Sequence, residues 1–226
     1  NYINEPLIRG DFIKFIDYAK KKGILDIYFS TNGILLKKKI SEELIKSGLT
    51  RLQVSIDAVT QQTYEKVRPG GLLKTVIENL ENFFITKEQL NSVTPLVRVN
   101  FVKTNLNEHE LEQFIDFWSK KVDMIGVQEF IKPTKVTKIV KSKKTKKKEN
   151  FKCSFPFKQL VITNEKKILP CCTFWGEELV LQDLNKPEDL MNAWNSPKMK
   201  KLREIHSNGK YYEIEQCKNC VEGGLE

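Results

Sequence analysis

The sequence predicts an α/β fold with a parallel sheet, followed by a small cysteine-bearing region. Two observations carry this. From residue 11 to residue 130 short apolar runs alternate with amphipathic segments, the pattern of strands joined by helical crossovers. All five cysteines lie at or beyond Cys153, so the soft-ligand chemistry is confined to the C-terminal third. Between the two lies Lys132 to Lys148, a stretch with nine lysines and no acidic residue. The expected organisation is therefore a first domain over 1–131, a lysine-rich linker over 132–150 and a cysteine-bearing domain over 151–226.

Taken in order, Asn1 to Pro6 opens with an apolar strand-like start and no cap, Asn4-Glu5 following that first strand. Asp11 caps a helix over 11–20 that stops at Gly23, and Leu25 to Phe29 is a strand ending in the turn Ser30-Thr31-Asn32-Gly33. Ser41 is expected to cap a short helix closing at Gly48, and Arg51 to Asp57 is the next strand. Gly71 to Asn91 reads as a long helix with Leu73, Val76, Ile77, Leu80 and Phe84 inward. A strand over Leu96 to Val102, a helix over Asn107 to Lys120 and a strand over Val122 to Phe130 complete the series. Parallel pairing with right-handed crossovers follows from this alternation.

The net charge of +9 resides largely in the lysine run, and the remainder is nearly neutral. Neither arginine nor aromatic residues interleave that run, so it reads as a solvated loop and no nucleic acid is expected. Without an apolar run of membrane-spanning length or a signal peptide, a cytoplasmic protein with no membrane partner is expected.

An odd cysteine count in such a setting argues against disulfides. Only Cys217-Lys-Asn-Cys220 forms a tight pair, while Cys153 and Cys171 stand alone and Cys172 doubles Cys171. Structural zinc favours two tight pairs, whereas an iron–sulfur cluster accepts scattered single cysteines. Iron–sulfur leads, with zinc second and inert buried thiols third. Polar residues also stand at three strand ends: Asn4-Glu5, Ser30-Thr31-Asn32 and Ser55-Ile56-Asp57. On one rim of an α/β layout they point to a polar ligand. His109 and His206 are read as surface residues, Trp118, Trp175 and Trp194 as core or interface aromatics. Phe12, Phe15, Phe83, Phe84, Phe114 and Phe117 are read as packing.

A resemblance runs through these segments. Asn4-Glu5-Pro6-Leu7-Ile8, Ser30-Thr31-Asn32-Gly33, Ser55-Ile56-Asp57 and Tyr64-x-x-Val67-Arg68-Pro69-Gly70-Gly71 resemble, in order and spacing, the later core motifs of radical S-adenosylmethionine (radical SAM) enzymes. Cys153-x-x-Pro156-Phe157, Val161-Ile162-Thr163-Asn164, Pro170-Cys171-Cys172, Leu190-x-x-x-Trp194-Asn195-Ser196, Met199-x-x-Leu202-Arg203 and Cys217-x-x-Cys220 resemble their SPASM/twitch extension.

The resemblance implies a partial (βα)6 TIM-like barrel, lacking its first unit, and then a small α+β iron–sulfur domain. It implies SAM as cofactor, a catalytic 4Fe-4S cluster that cleaves it to a radical, and an auxiliary 4Fe-4S cluster. Carried over residue by residue, Asn4 and Glu5 would face the SAM amino group, Ser55 and Asp57 its ribose or methionine part, and Arg68 its carboxylate. Cys153, Cys171, Cys217 and Cys220 would hold the auxiliary cluster, with Cys172 spare.

The family's CxxxCxxC loop is absent, since no cysteine precedes Cys153; the catalytic cluster is then expected from residues outside this chain, which alone would be inactive. Ile3-Asn4-Glu5-Pro6 replaces the family's Gly-Gly-Glu-Pro, and five cysteines suffice for one auxiliary cluster, as in the twitch subclass. Implied partners are an electron donor such as flavodoxin or ferredoxin and a sugar, aminocyclitol or peptide substrate to be oxidised or modified. A non-catalytic iron–sulfur or zinc-stapled binding module is the alternative. No catalytic base is named; Glu129 and Arg98 are candidates only.

Overall fold

A computed structural model describes residues 4–130 and 149–222. The strand-like start at Asn1 to Ile3 and the lysine run to Lys148 lie outside the described residues. The chain divides after Gln128 into two compact units.

In the first unit, α1 (Phe12–Lys21), β1 (Tyr28–Thr31), α2 (Lys38–Lys46), β2 (Arg51–Ser55), α3 (Gln61–Val67), α4 (Leu73–Gln89), β3 (Leu96–Lys103), α5 (Leu111–Trp118) and β4 (Met124–Glu129) follow in order. The sheet order is β1-β2-β3-β4. β2 runs parallel to β1, with Thr31 opposite Val54, and parallel to β3, with Ser55 opposite Asn100.

Alternation along these strands separates two faces. Phe29, Leu52, Val54, Val97, Val99 and Phe101 are buried on one, against Ile16, Leu44, Val76, Leu80, Phe83 and Phe114 of the helices. The other face carries Ser30, Gln53, Ser55, Arg98 and Asn100. This is the α/β parallel sheet expected, an incomplete barrel wall.

Four local expectations are corrected. β1 begins three residues late, because Leu25 is 87% exposed and buries nothing, and continues into the expected turn because Thr31 is buried opposite Val54. Ser41 is not an N-cap: Lys37 holds that position, and Ser41 Oγ lies inside α2, donating to Leu36 O at 3.4 Å. The deeply buried phenylalanine of α4 is Phe83, at the spacing of Leu73, Val76 and Leu80, while Phe84 is only partly covered. Phe15 is 53% exposed on α1 rather than packed.

The sequence reading also missed α3. Its seven residues carry too few apolar positions for periodicity to show, and Thr60 caps it by accepting from Thr63 N. Glu110 completes that terminus from across the fold, accepting from Val59 N at 2.6 Å and Thr60 N at 3.2 Å.

In the second unit, β5 (Val161–Ile162), β6 (Lys167–Leu169) and β7 (Gln182–Asp183) form a small antiparallel sheet. Three helices follow: α6 (Glu188–Trp194), α7 (Pro197–Ser207) and α8 (Glu215–Glu222). Ser196 caps α7, accepting from Met199 N at 3.2 Å, with Pro197 in the first turn. Arg203 pins this unit: Nε donates to Pro156 O and Nη1 to Trp194 O, both at 2.9 Å, while the guanidinium lies over the Trp194 ring. The buried core is small, formed around Ile168, Leu181, Ala193, Met199 and Leu202. Among the described residues, no helix is long and apolar enough to cross a membrane.

Candidate functional site

On the strand-end rim of the first unit, Glu5 ties two of the expected motifs together. Its Oε1 accepts from Thr31 Oγ1 at 2.9 Å and Leu7 N at 3.1 Å, and its Oε2 accepts from Asn32 N at 2.7 Å. Asn4 lies beside it, exposed, and together with Arg9 and Phe12 they line a shallow pocket. Beyond β2, Asp57 sits buried with φ +67°, in the left-handed region that aspartate tolerates better than most residues. Its Oδ1 accepts from Val102 N at 2.7 Å, and its Oδ2 accepts from Arg68 Nε at 2.8 Å and Nη2 at 2.5 Å. Both acceptors are thus spent on the protein, and Asp57 aims Arg68 from the end of α3. Ser55 is half-buried at the last position of β2.

Gln53 and Asn100, read from the sequence only as strand residues, belong to this face as well. Gln53 Oε1 accepts from Ser30 Oγ at 3.2 Å and Asn100 Nδ2 at 3.4 Å, a polar row running across three strands. Asn100 Oδ1 and Arg98 Nε are buried without a partner among the described residues, so this face keeps unspent donors and acceptors. Gly126 makes room for Arg98: a Cβ there would sit 2.0 Å from Nη2. Arg98 is no base, because a guanidinium stays protonated in proteins; it suits an anion. The signal was available in the alternation of polar with apolar residues in Arg51 to Ser55 and Leu96 to Asn100, in a sheet class usually apolar on both faces.

The second unit gathers the cysteines. Cys153 precedes a 3-10 turn at Phe155–Phe157, Cys171 follows β6, and Cys217 and Cys220 lie three apart on one face of α8. All four line a single cavity, with apolar walls from Phe155, Pro156, Leu179, Leu202 and Val221. Cys172 is exposed and outside it. Gly176 is needed here, for a Cβ would lie 2.8 Å from both the sulfur and the carbonyl oxygen of Cys171. Trp175 lies in this turn, but its side chain is outside the described residues.

Burial dominates the electrostatics. It pushes the Cys217 and Cys220 thiols up to about 12, helped by the neighbouring cysteines, with a Thr173 hydrogen bond opposing it at Cys220. Cys153 is likewise raised by burial, against a hydrogen bond from the Phe155 backbone. Deprotonating such a set without a cation costs free energy, which bound iron would offset. Among the described residues no group of three or more His, Cys, Asp or Glu side chains forms a single-ion site. Four soft donors around one apolar space nonetheless fit an iron–sulfur cluster.

His206 corrects a sequence expectation. It is not a surface residue: it is 2% exposed, lines the same cavity, and its Nε2 lies 3.4 Å from Cys217 Sγ. The reason is geometric, since His206 lies on the buried face of α7 with Met199, Leu202 and Ile205, and Leu202 and His206 of that face line the cavity. Burial also lowers its pKa, favouring the neutral ring.

A polar strand-end rim on a parallel α/β sheet, joined in one chain to a four-thiol cavity, defines a class, and sequence comparison names it. The radical SAM superfamily profile matches residues 2–117, and that of SPASM, the iron-sulfur cluster-binding domain, matches residues 153–221. The chain belongs to the radical SAM superfamily and carries a C-terminal SPASM domain.

Among curated relatives, GTP 3',8-cyclase of Thermodesulfovibrio yellowstonii is 36% identical over 121 residues, 53% of this chain and 35% of that protein. The probable GTP 3',8-cyclase of Methanocaldococcus jannaschii is 33% identical over 127 residues, 56% of this chain and 40% of that protein. The matched part is thus well under half the length of these relatives. Among solved structures, BtrN in an open conformation aligns with a TM-score of 0.56 at 15% identity, covering 96% of this chain and 67% of BtrN. BtrN in complex with AdoMet and 2-DOIA gives the same TM-score at 14% identity, covering 97% and 70%. At such identity the likeness concerns the fold.

Proposed function

We propose that this chain is the SAM-binding and auxiliary-cluster part of a radical SAM enzyme. Asn4, Glu5, Ser55, Asp57 and Arg68 would form the SAM rim, and Cys153, Cys171, Cys217 and Cys220 would hold one auxiliary 4Fe-4S cluster. The carrying observation is that these four thiols, and not Cys172, line one apolar cavity, where burial opposes the ionisation of Cys153, Cys217 and Cys220. The roles on the rim differ. Glu5 and Asp57 are already committed to backbone and side-chain donors, so they position the rim, and Arg68, whose outer face stays open to solvent, is the cation that would meet the ligand. Arg68 offers a planar fork suited to a carboxylate.

When bound, SAM and its catalytic cluster supply the radical chemistry, and the auxiliary cluster supplies a one-electron acceptor. The catalytic cluster would be held by residues outside this chain, which alone would be inactive, and a flavodoxin or ferredoxin would deliver electrons. Substrate would lie along the polar face formed by Gln53, Arg98 and Asn100. The substrate proposed for that face is a small cyclitol or sugar, to be oxidised or modified; BtrN, which shares the fold, is crystallised with AdoMet and 2-DOIA. A second reading, an anionic nucleotide, is favoured by the GTP 3',8-cyclase relatives and by the Arg98 cation on that face.

Anaerobic iron, sulfide and zinc analysis of the reconstituted chain tests the central claim, beside the Cys153/Cys171/Cys217/Cys220→Ala variant. About four iron and four sulfide per chain, lost in the variant, support the cluster. About one zinc without sulfide would sink it in favour of a zinc-stapled module.

A further inference from the structure

His206 has no place in the functional reading above, yet it is the one histidine in the second unit and it is buried at the thiol cavity. Its Nε2 lies 3.4 Å from Cys217 Sγ, and its Nδ1 is buried without a partner among the described residues. The contact spans the last turn of α7 and the first turn of α8. Burying an imidazole costs free energy unless it is hydrogen-bonded, and the sulfur is the partner on offer.

Resting on the reading that the four thiols hold a cluster, we infer that His206 is a positioning residue that donates its Nε2–H to the Cys217 sulfur and raises the reduction potential of that cluster. A ligating thiolate has no proton and can only accept, so the contact requires the tautomer with hydrogen on Nε2. The donated dipole withdraws charge from the sulfur. Reduction adds negative charge in a cavity with apolar walls, so a donor pointed at a ligating sulfur stabilises the reduced form more than the oxidised one. Cys217 and His206 thus form a unit through which α7 tunes the electron acceptor without touching iron.

The test uses the full chain after anaerobic reconstitution, with iron and sulfide counted on every sample. Spectroelectrochemical titration should place the midpoint of His206→Leu below that of the unaltered chain at equal iron content. His206→Gln, which keeps an N–H donor, should recover part of the shift. Pulsed EPR on the reduced cluster in ¹⁵N-histidine-labelled chain should show weak nitrogen coupling that vanishes in His206→Leu. An unchanged midpoint in a fully loaded His206→Leu overturns the inference. Should that variant fail to load, the labelled unaltered chain decides: no coupling, or the strong coupling of a nitrogen bound to iron, overturns it equally. Absence of iron and sulfide from the unaltered chain instead overturns the cluster reading, and this inference with it.

Discussion

Asp57 grips Arg68 with one carboxylate oxygen and the backbone of β3 with the other. The pair is unequal in exposure, the Asp57 side chain at 8% and that of Arg68 at 27%, so the acid is the buried anchor and the guanidinium is the part that reaches solvent. Asp57→Asn keeps a residue that tolerates positive φ but removes the charge. It should lower the stability of the chain by roughly 1–3 kcal/mol, the worth of a charge-assisted hydrogen bond. SAM binding should weaken as Arg68 loses its aim. Urea unfolding and equilibrium binding of SAM measure the two effects. A variant of unaltered stability would mean that the pair carries no energy.

Glu110 gives the first unit a definite acid response. Burial alone would raise its carboxyl, but hydrogen bonds from Thr60 Oγ1, the Val59 amide and the Thr60 amide outweigh it and hold the pKa below the ordinary value. A lowered folded pKa means stability that is full above the unfolded carboxylate value, about 4.3, and is lost as pH falls through the lower folded value. Glu110→Gln should therefore be less stable than the unaltered chain by about 1–3 kcal/mol at pH 7. The gap should close on acidification below pH ~4. Parallel denaturant curves at the two pH values read it; a gap independent of pH would contradict the assignment.

The alternation of apolar runs with amphipathic segments made the parallel sheet legible because both faces of each element obey simple periods. Boundaries are less so: β1 starts later than expected because Leu25 is apolar yet exposed, and α3 escapes because its seven residues carry too few apolar positions to show a period. At the cysteines, their confinement to the last third of the chain pointed to one gathering of thiols, and Cys153, Cys171, Cys217 and Cys220 do line one cavity that Cys172 stays out of. His206 could not be found that way. Cys217 lies eleven positions further along the chain, and only the fold that turns the end of α7 and the start of α8 onto one cavity brings the ring to the sulfur.

Gly176 carries a prediction of its own. The 3-10 turn at Phe174–Glu178 passes over Cys171, with no room for a methyl group against its sulfur or its carbonyl. Gly176→Ala should displace Cys171, reducing iron from about four per chain to a minor fraction. Circular dichroism from the helices of the first unit should be unchanged. Full iron loading in this variant would show that the turn yields without cost to Cys171.

Removal of the cluster should make the second unit sensitive to alkali. Cys217 and Cys220 are held at about 12 when protonated and buried together, against about 8.5 for a thiol in the unfolded chain. A raised folded pKa means stability that is full below the unfolded value and is lost as pH rises towards the folded one. At pH 10 each thiol should cost the cluster-free fold about 2 kcal/mol relative to pH 7.5, from about 1.4 kcal/mol for each unit of pH above 8.5. With the sulfurs bound to iron as proposed, the same change of pH should leave that contribution out. Differential scanning calorimetry of the cluster-free and reconstituted chains at pH 7.5 and 10 measures both. The expected result is a transition that falls with pH only when the cluster is absent. An equal fall in both would mean that these thiols are not the groups iron relieves, and would remove the electrostatic reason for placing a cluster among them.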